Sequence, residues 1–101
     1  MGWVDFIHGI EMACPACGHS WTGDWGETKS FDPPHEDGCH HFRIGEKDDL
    51  ADRDGEMELM DNCPSCNELV YAYANVSDKT IRQPHRFRWF DYKTETSKEI
   101  R

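Results

Sequence analysis

The sequence predicts a small, mainly β domain in which two β-hairpins meet, with extra strands beside them. Two Cys-Pro-x-Cys turns, at residues 14–17 and 63–66, each lie between segments that read as extended. The segment with the strongest strand character, residues 69–76, follows the second turn and is rich in β-forming residues. A chain of 101 residues, of which 37% are apolar, forms one domain with a thin core, and such domains often need a staple.

Six segments predict strands, because they alternate polar and apolar residues or contain many β-forming residues. In chain order they are residues 3–13 with a bend at Gly9, then 20–25, 39–44, 56–61, 69–76 and 85–92. Residues 26–55 read as an insertion between the two turns, and residues 93–101 as a polar tail that we expect to fray, so the domain spans residues 1–92. The side chains expected in the core are Trp21, Tyr71, Tyr73 and Phe87.

The two turns carry the side chains with the clearest chemistry, which are Cys14, Cys17, Cys63 and Cys66. Two such turns supply the four sulfur ligands of one tetrahedral Zn²⁺ ion. An ion held by four cysteines has no open position for water, so the site is predicted to be structural rather than catalytic. The chain has no P-loop, no glycine-rich dinucleotide turn and no His-Glu-x-x-His motif, and we expect no enzymatic activity.

A redox dithiol is the alternative interpretation of each Cys-x-x-Cys pair. Thioredoxin-type pairs lie at the start of a helix within a βαβ unit. Here extended segments flank both pairs, so the pattern favours metal binding.

The sequences Cys-Pro-Ala-Cys-Gly at residues 14–18 and Cys-Pro-Ser-Cys at residues 63–66 resemble the paired knuckles of zinc-ribbon proteins. The resemblance covers the turns and their flanking strands, and it implies one structural Zn²⁺ between two β-hairpins. The chain departs from the pattern in two places, because 45 residues separate the turns and Asn67 stands where glycine is commoner. The turns also resemble those of rubredoxins, which implies iron and electron transfer as an alternative.

A second group of potential ligands lies between the turns and comprises His35, Cys39, His40 and His41, with His19 just after the first turn. These residues read either as ligands of a metal ion or as a single thiol with surface histidines near a Pro-rich turn. Their spacing matches no familiar zinc motif, which favours the second interpretation. If one of them does bind a metal, Cys39 is our first candidate.

The charge is unevenly distributed. Residues 1–78 carry 4 Lys/Arg and 17 Asp/Glu, a net charge of −13, whereas residues 79–101 carry 7 and 3, a net charge of +4. The acidic residues 46–58 lack the first and last ligands of a calcium loop and predict a solvated surface. We therefore expect an adaptor, an inhibitor-like module or an assembly component that presents carboxylates to a basic groove on another protein. The carboxylates expected to make this contact are Asp48, Asp49, Asp52 and Asp54.

Residues 82–92 offer a different function, because they alternate basic and aromatic side chains. Arg82, Arg86 and Arg88, with rings between them, are able to bind single-stranded nucleic acid by phosphate contact and stacking. The same arginines are equally able to pair with the acidic part of the chain. Nucleic-acid binding is therefore the alternative to protein binding.

The cysteine count bears on the cellular compartment. Five cysteines, an odd number, with four of them in Cys-x-x-Cys pairs, favour a reducing environment over a disulfide framework. With no signal stretch or membrane span evident, we expect a cytoplasmic protein, or a virion component if the protein is viral.

Overall fold

The computed structural model describes residues 4–24, 26–28 and 40–101, and within them the protein is all-β. A mixed sheet of eight strands and a separate two-stranded hairpin make up the fold. In these residues no helix has the length and apolar character needed to cross a membrane. In chain order the strands are β1 (Asp5–His8), β2 (Ile10–Ala13), β3 (Ser20–Gly23), β4 (Gly26–Thr28), β5 (His41–Arg43), β6 (Gly55–Asn62), β7 (Leu69–Ser77), β8 (Thr80–Ile81), β9 (Arg86–Asp91) and β10 (Thr96–Ile100).

The large sheet has the strand order β10-β9-β7-β6-β4-β1-β5, and β8 pairs with the end of β7. All neighbouring strands are antiparallel except β1 and β5, which are parallel. The predicted mainly β fold class is therefore confirmed. Both Cys-Pro-x-Cys turns lie at hairpin tips, the first between β2 and β3 and the second between β6 and β7.

A bend in the first hairpin brings the Cys-Pro-x-Cys turn at residues 14–17 close to the turn at residues 63–66. β1 pairs with β4 and β2 pairs with β3, and the chain bends between β1 and β2 at Gly9, whose φ is +77°. At Gly26 a Cβ atom would lie 2.3 Å from Ile10 Cδ1, so this glycine allows the bent half of the hairpin to approach the sheet. The bend is what separates β2–β3 from the large sheet.

The core lies between the β2–β3 hairpin and one face of the large sheet. Along β7 the side chains of Val70, Ala72, Ala74 and Val76 are buried in it. Because side chains alternate along a strand, the neighbouring tyrosines point to the opposite face. The largest fully buried side chains are Phe42, Ile7, Ile10, Met57, Leu59, Ile81, Val70 and Val76.

The predicted core is confirmed for Tyr73, which is buried with 8% of its surface exposed, and corrected for Tyr71, which is half-buried. Both tyrosines lie on the other face of the sheet, the open face, where the guanidinium groups of Arg88 and Arg86 cover them. Trp21 and Phe87 are partly buried and pack against the core. Small residues alternate with the tyrosines along β7, and it is this small-residue face that meets the β2–β3 hairpin.

The C-terminal segment also differs from the expectation. We expected residues 93–101 to fray, but Thr96–Ile100 forms β10 and pairs with β9 along its whole length. Within the presumed insertion at residues 26–55, β5 lies inside the strand predicted at residues 39–44 and confirms it, whereas β4 was not predicted. All five residues of β10 are exposed, so local patterns in the sequence conceal its pairing with β9.

Candidate metal centre

Four cysteine sulfurs meet where the tips of the two hairpins come together. Cys14 Sγ lies 3.7 Å from Cys66 Sγ, and Cys17 Sγ lies 3.6 Å from Cys63 Sγ. All four Sγ atoms lie within 4.8 Å of one another. A tetrahedral Zn²⁺ ion with Zn–S bonds of about 2.3 Å holds its sulfurs about 3.8 Å apart. The cluster therefore has the dimensions of a four-thiolate metal site, and each close pair joins one cysteine from each turn.

The backbones of the two turns match. Gly18 N–H donates to the Cys14 carbonyl at 2.8 Å, and Asn67 N–H donates to the Cys63 carbonyl at 2.7 Å. Gly18 and Asn67 both adopt positive φ, at +78° and +62°. Asparagine tolerates this left-handed conformation better than most side chains. The departure at Asn67 therefore leaves the geometry of the second turn unchanged.

Burial and backbone N–H groups act on the thiols in opposite directions. In the metal-free chain, burial raises the pKa of the Cys14 thiol to about 12, whereas the His19 N–H donates to the Cys17 sulfur and lowers the pKa of Cys17 to about 7. The Glu68 N–H donates to the Cys66 sulfur at the equivalent position of the second turn, but burial and the neighbouring thiols leave the pKa of Cys66 raised. Amides that point at sulfur stabilise the thiolate, which is the form that binds a metal.

The cluster is closed on one side and open on the other. Cys14 and Cys63 are fully buried, Cys66 is half-buried and Cys17 is exposed. An ion is thus able to reach the cluster from the side of Cys17, while the buried pair joins the site to the core. Cys14 and Cys63 belong to the core cluster and Cys66 packs against it, so three of the four cysteines connect the site to the core.

One hydrogen bond next to the cluster was not predicted from the sequence. Trp21 Nε1 donates to Asp61 Oδ2 at 3.1 Å, which joins β3 to β6 just before the second turn. A Cβ at Gly23 would lie 2.7 Å from the same carboxylate oxygen, so a larger residue there would displace the Asp61 side chain from this bond. The bond holds the first hairpin over β6. The available signal was the position of both residues next to the turns.

Part of the second predicted ligand group lies outside the described residues. His35 and Cys39 are there, so their proposed metal binding stays a prediction. His19 is exposed and stacks on Trp21, with ring centroids 6.0 Å apart. Over residues 4–24, 26–28 and 40–101, the four paired cysteines are the one group of three or more side chains placed to hold a metal ion.

The two described histidines of that group have protein partners. His40 Nε2 lies 2.7 Å from Asp48 Oδ2, and His41 Nδ1 lies 2.7 Å from His8 Nε2. The His8 and His41 rings are nearly parallel, with an interplanar angle of 13°. These contacts join β5 to β1 and to the acidic loop that follows.

The acidic residues 46–58 divide into structural and exposed carboxylates. Asp48 is half-buried and holds His40, and its Oδ1 accepts the N–H of Leu50 at 3.0 Å. Asp49 is exposed over 86% of its side chain, and Asp52 and Asp54 are exposed too. Asp48 therefore supports the loop, whereas the other three predicted contact residues face solvent.

Two of the arginines of residues 82–92, Arg86 and Arg88, lie on the open face of the sheet, whereas Arg82 is exposed before β9 begins. Arg86 forms ion pairs with Glu56 at 2.7 Å and with Glu99 at 2.8 Å, and its guanidinium lies 3.8 Å from the centre of the Tyr73 ring. These ion pairs lower the pKa of both carboxyl groups and raise that of the guanidinium. Arg88 has a buried Nε without a hydrogen-bond partner among the described residues. Arg86 is thus paired with acidic residues of the protein itself.

Fold and site together define a small all-β protein with a four-cysteine cluster that has the geometry of a metal site. Comparisons with models of known protein families, with curated proteins and with solved structures found no match to this chain.

Proposed function

We propose that this protein is a non-enzymatic interaction module, stabilised by one structural Zn²⁺ at Cys14, Cys17, Cys63 and Cys66, that binds another protein through its acidic surface. The four-sulfur cluster carries the first half of this proposal. Four thiolates complete the tetrahedral shell of Zn²⁺, which leaves no coordination position for a substrate or for an activated water. The metal's role is then to hold the two hairpins together.

The second half rests on charge. Asp49, Asp52 and Asp54 project from the loop before β6 into solvent, on a chain with a net charge of −9. A cluster of exposed carboxylates attracts basic surfaces and repels phosphate backbones. A basic groove on a partner protein is the complementary surface, and the loop would occupy it as a nucleic acid does.

Metal analysis tests the zinc assignment. We expect protein purified without added metal to contain one zinc per chain by elemental analysis, because the cluster offers one set of four thiolates. One iron per chain with a red colour would contradict the assignment and favour electron transfer. Two zinc ions per chain would show a second site and direct attention to Cys39.

Neutralising the exposed carboxylates tests the interaction surface. We expect the triple substitution Asp49→Asn, Asp52→Asn and Asp54→Asn to remove the proteins that the wild-type chain enriches from an extract of its source cells, as measured by quantitative mass spectrometry. Asp48 is left in place because it holds the loop through His40.

A matched control removes the same charge elsewhere. Asp24→Asn, Glu27→Gln and Glu95→Gln change three other exposed carboxylates, and we expect them to leave the enriched proteins unchanged. Equal enrichment by the wild type and by the variant of the acidic loop would contradict the proposal. Enrichment of nucleic acid that is lost with Arg82→Ala and Arg88→Ala would favour the alternative function instead.

A further inference from the structure

β1 and β2 follow each other across the bend at Gly9, and different groups pair with successive parts of their outer edge. Along β1 it pairs with β5, and the last of these bonds runs from Ile44 N–H to the His8 carbonyl at 3.0 Å. Gln83 covers the next stretch, because its Nε2 donates to the Gly9 carbonyl at 3.0 Å and its Oε1 accepts the Glu11 N–H at 2.9 Å. The side-chain amide of Gln83 thus makes the two bonds that a peptide group of a neighbouring strand would make.

Beyond Gln83, no strand of residues 4–24, 26–28 and 40–101 pairs with the same edge. Cys14 N–H donates to the His19 carbonyl at 2.9 Å, so alternate residues of β2 bond to β3 and the ones between them point away. Glu11 C=O and Ala13 N–H and C=O therefore face outward. Within the part of the chain that the structure describes, β2 pairs with β3 alone.

An open cleft of about 520 Å³ lies beside this edge. Residues 11–13 and 20–22 line it on the hairpin side, and Pro84 and Phe87 line it on the opposite side. The cleft therefore combines the outward backbone groups of β2, which pair with no strand among the described residues, with two apolar side chains and the carboxylate of Glu11. Extended peptides bind exposed sheet edges by main-chain hydrogen bonds, with alternate side chains entering pockets beside the edge.

We propose that residues 11–13 of β2 are a docking site for an extended peptide segment of a partner protein, with an apolar side chain against Pro84 and Phe87 and a Lys or Arg beside Glu11. The two hydrogen bonds of the Gln83 side chain support the docking of a peptide, because they show that this edge already pairs with a peptide-like group. A basic segment suits Glu11 and the net charge of −13 of residues 1–78. A second copy of this chain would bring two acidic surfaces together. The inference rests on the proposed function as an interaction module and specifies a second surface for it.

A peptide selection tests the site without knowledge of the partner. Random dodecapeptides displayed on phage are selected on the zinc-loaded full chain, and the enriched sequences are made synthetically and titrated. We expect sequences that alternate apolar residues with Lys or Arg. We also expect bound peptide to slow hydrogen exchange of the Ala13 amide, because that N–H becomes paired.

Two variants separate backbone pairing from charge. Ala13→Pro removes the outward N–H without removing a bond to β3, and Glu11→Lys reverses the exposed charge. We expect each to weaken binding of the selected peptides at least about tenfold, or about 1.4 kcal/mol. Should Ala13→Pro fail to fold, Glu11→Lys and amide exchange still decide the outcome. Equal binding to the wild type and Glu11→Lys, or protection away from residues 11–13, would overturn the proposal, as would self-association through this edge.

The triple variant at Asp49, Asp52 and Asp54 distinguishes this proposal from the previous one. Those residues lie outside the cleft, so we expect the selected peptides to bind this variant as tightly as the wild type. Loss of peptide binding in that variant would assign the peptides to the acidic loop and overturn the assignment to β2. If the triple variant enriches the same proteins from the extract as the wild type, the acidic surface is contradicted, but peptide binding at β2 is still decided by the peptide experiment.

Discussion

Replacing Cys63 with serine is expected to abolish stoichiometric zinc binding and to leave the chain largely unfolded. Cys63 is fully buried at the junction of the metal cluster and the core. Structural zinc sites contribute about 10–16 kcal/mol of apparent binding free energy at neutral pH, which is as large as the whole stability of an ordinary domain. A chain with a thin core therefore depends on the metal, because the binding free energy acts as folding free energy.

The expected loss is measured by near-ultraviolet circular dichroism and thermal unfolding of the purified chains, with elemental analysis of zinc. Addition of a strong chelator to the wild type is expected to have the same effect as the substitution. Ser65→Ala is the matched control, because Ser65 is exposed in the same turn and its side chain is not a sulfur ligand. A Cys63→Ser protein with wild-type Tm and no sensitivity to chelator would falsify the role of the cluster.

Replacing Phe42 with alanine is expected to cost about 3–5 kcal/mol, the range for deleting a buried aromatic ring from a core. Phe42 is the largest fully buried side chain among the described residues. β5 has three residues, and Phe42 is the one whose side chain is buried. Removal of the ring leaves a cavity and takes away the main packing contact that holds this parallel edge strand on β1.

Chemical denaturation of the zinc-saturated proteins measures this loss as a lower midpoint with an unchanged slope. Amide exchange should also accelerate at Phe6, whose N–H donates to the His40 carbonyl at 2.9 Å beside β5. The control is Arg43→Ala, because Arg43 is exposed over 60% of its side chain and exposed positions usually change stability by less than about 0.5 kcal/mol. A loss below about 1 kcal/mol in Phe42→Ala would contradict the assignment of Phe42 to the core.

Local chemistry in the sequence was enough to predict the four-cysteine cluster and most of the strands. The Cys-Pro-x-Cys spacing places two sulfurs on one tight turn, and that relation involves neighbours in sequence. The positive φ of Asn67 follows from the same turn. The β6 and β7 segments carry their own alternation, so their strand character does not depend on the rest of the molecule.

Local patterns did not predict contacts between residues that are far apart in sequence. The bond from Trp21 to Asp61 and the bonds of Gln83 to β2 join residues 40 or more positions apart. Asp48 reads in sequence as one of several equivalent acidic residues, yet its contact with His40 makes it structural. Each of these roles depends on which strands come together.

The sequence by itself determined the four cysteines of the cluster, the hairpin turns on which they lie and the acidic character of the chain, because these depend on composition and on short spacing. Only the tertiary structure decided which face of β7 enters the core, since alternation defines two faces but does not rank them. The face with Ala72 and Ala74 belongs to the same core cluster as Ile10 and Met12 of the β2–β3 hairpin. That choice left the tyrosines on the open face, where Arg86 and Arg88 cover them. Pairing of the polar segment Thr96–Ile100 with β9 was decided in the same way, because an exposed edge strand needs a neighbouring strand rather than an apolar pattern.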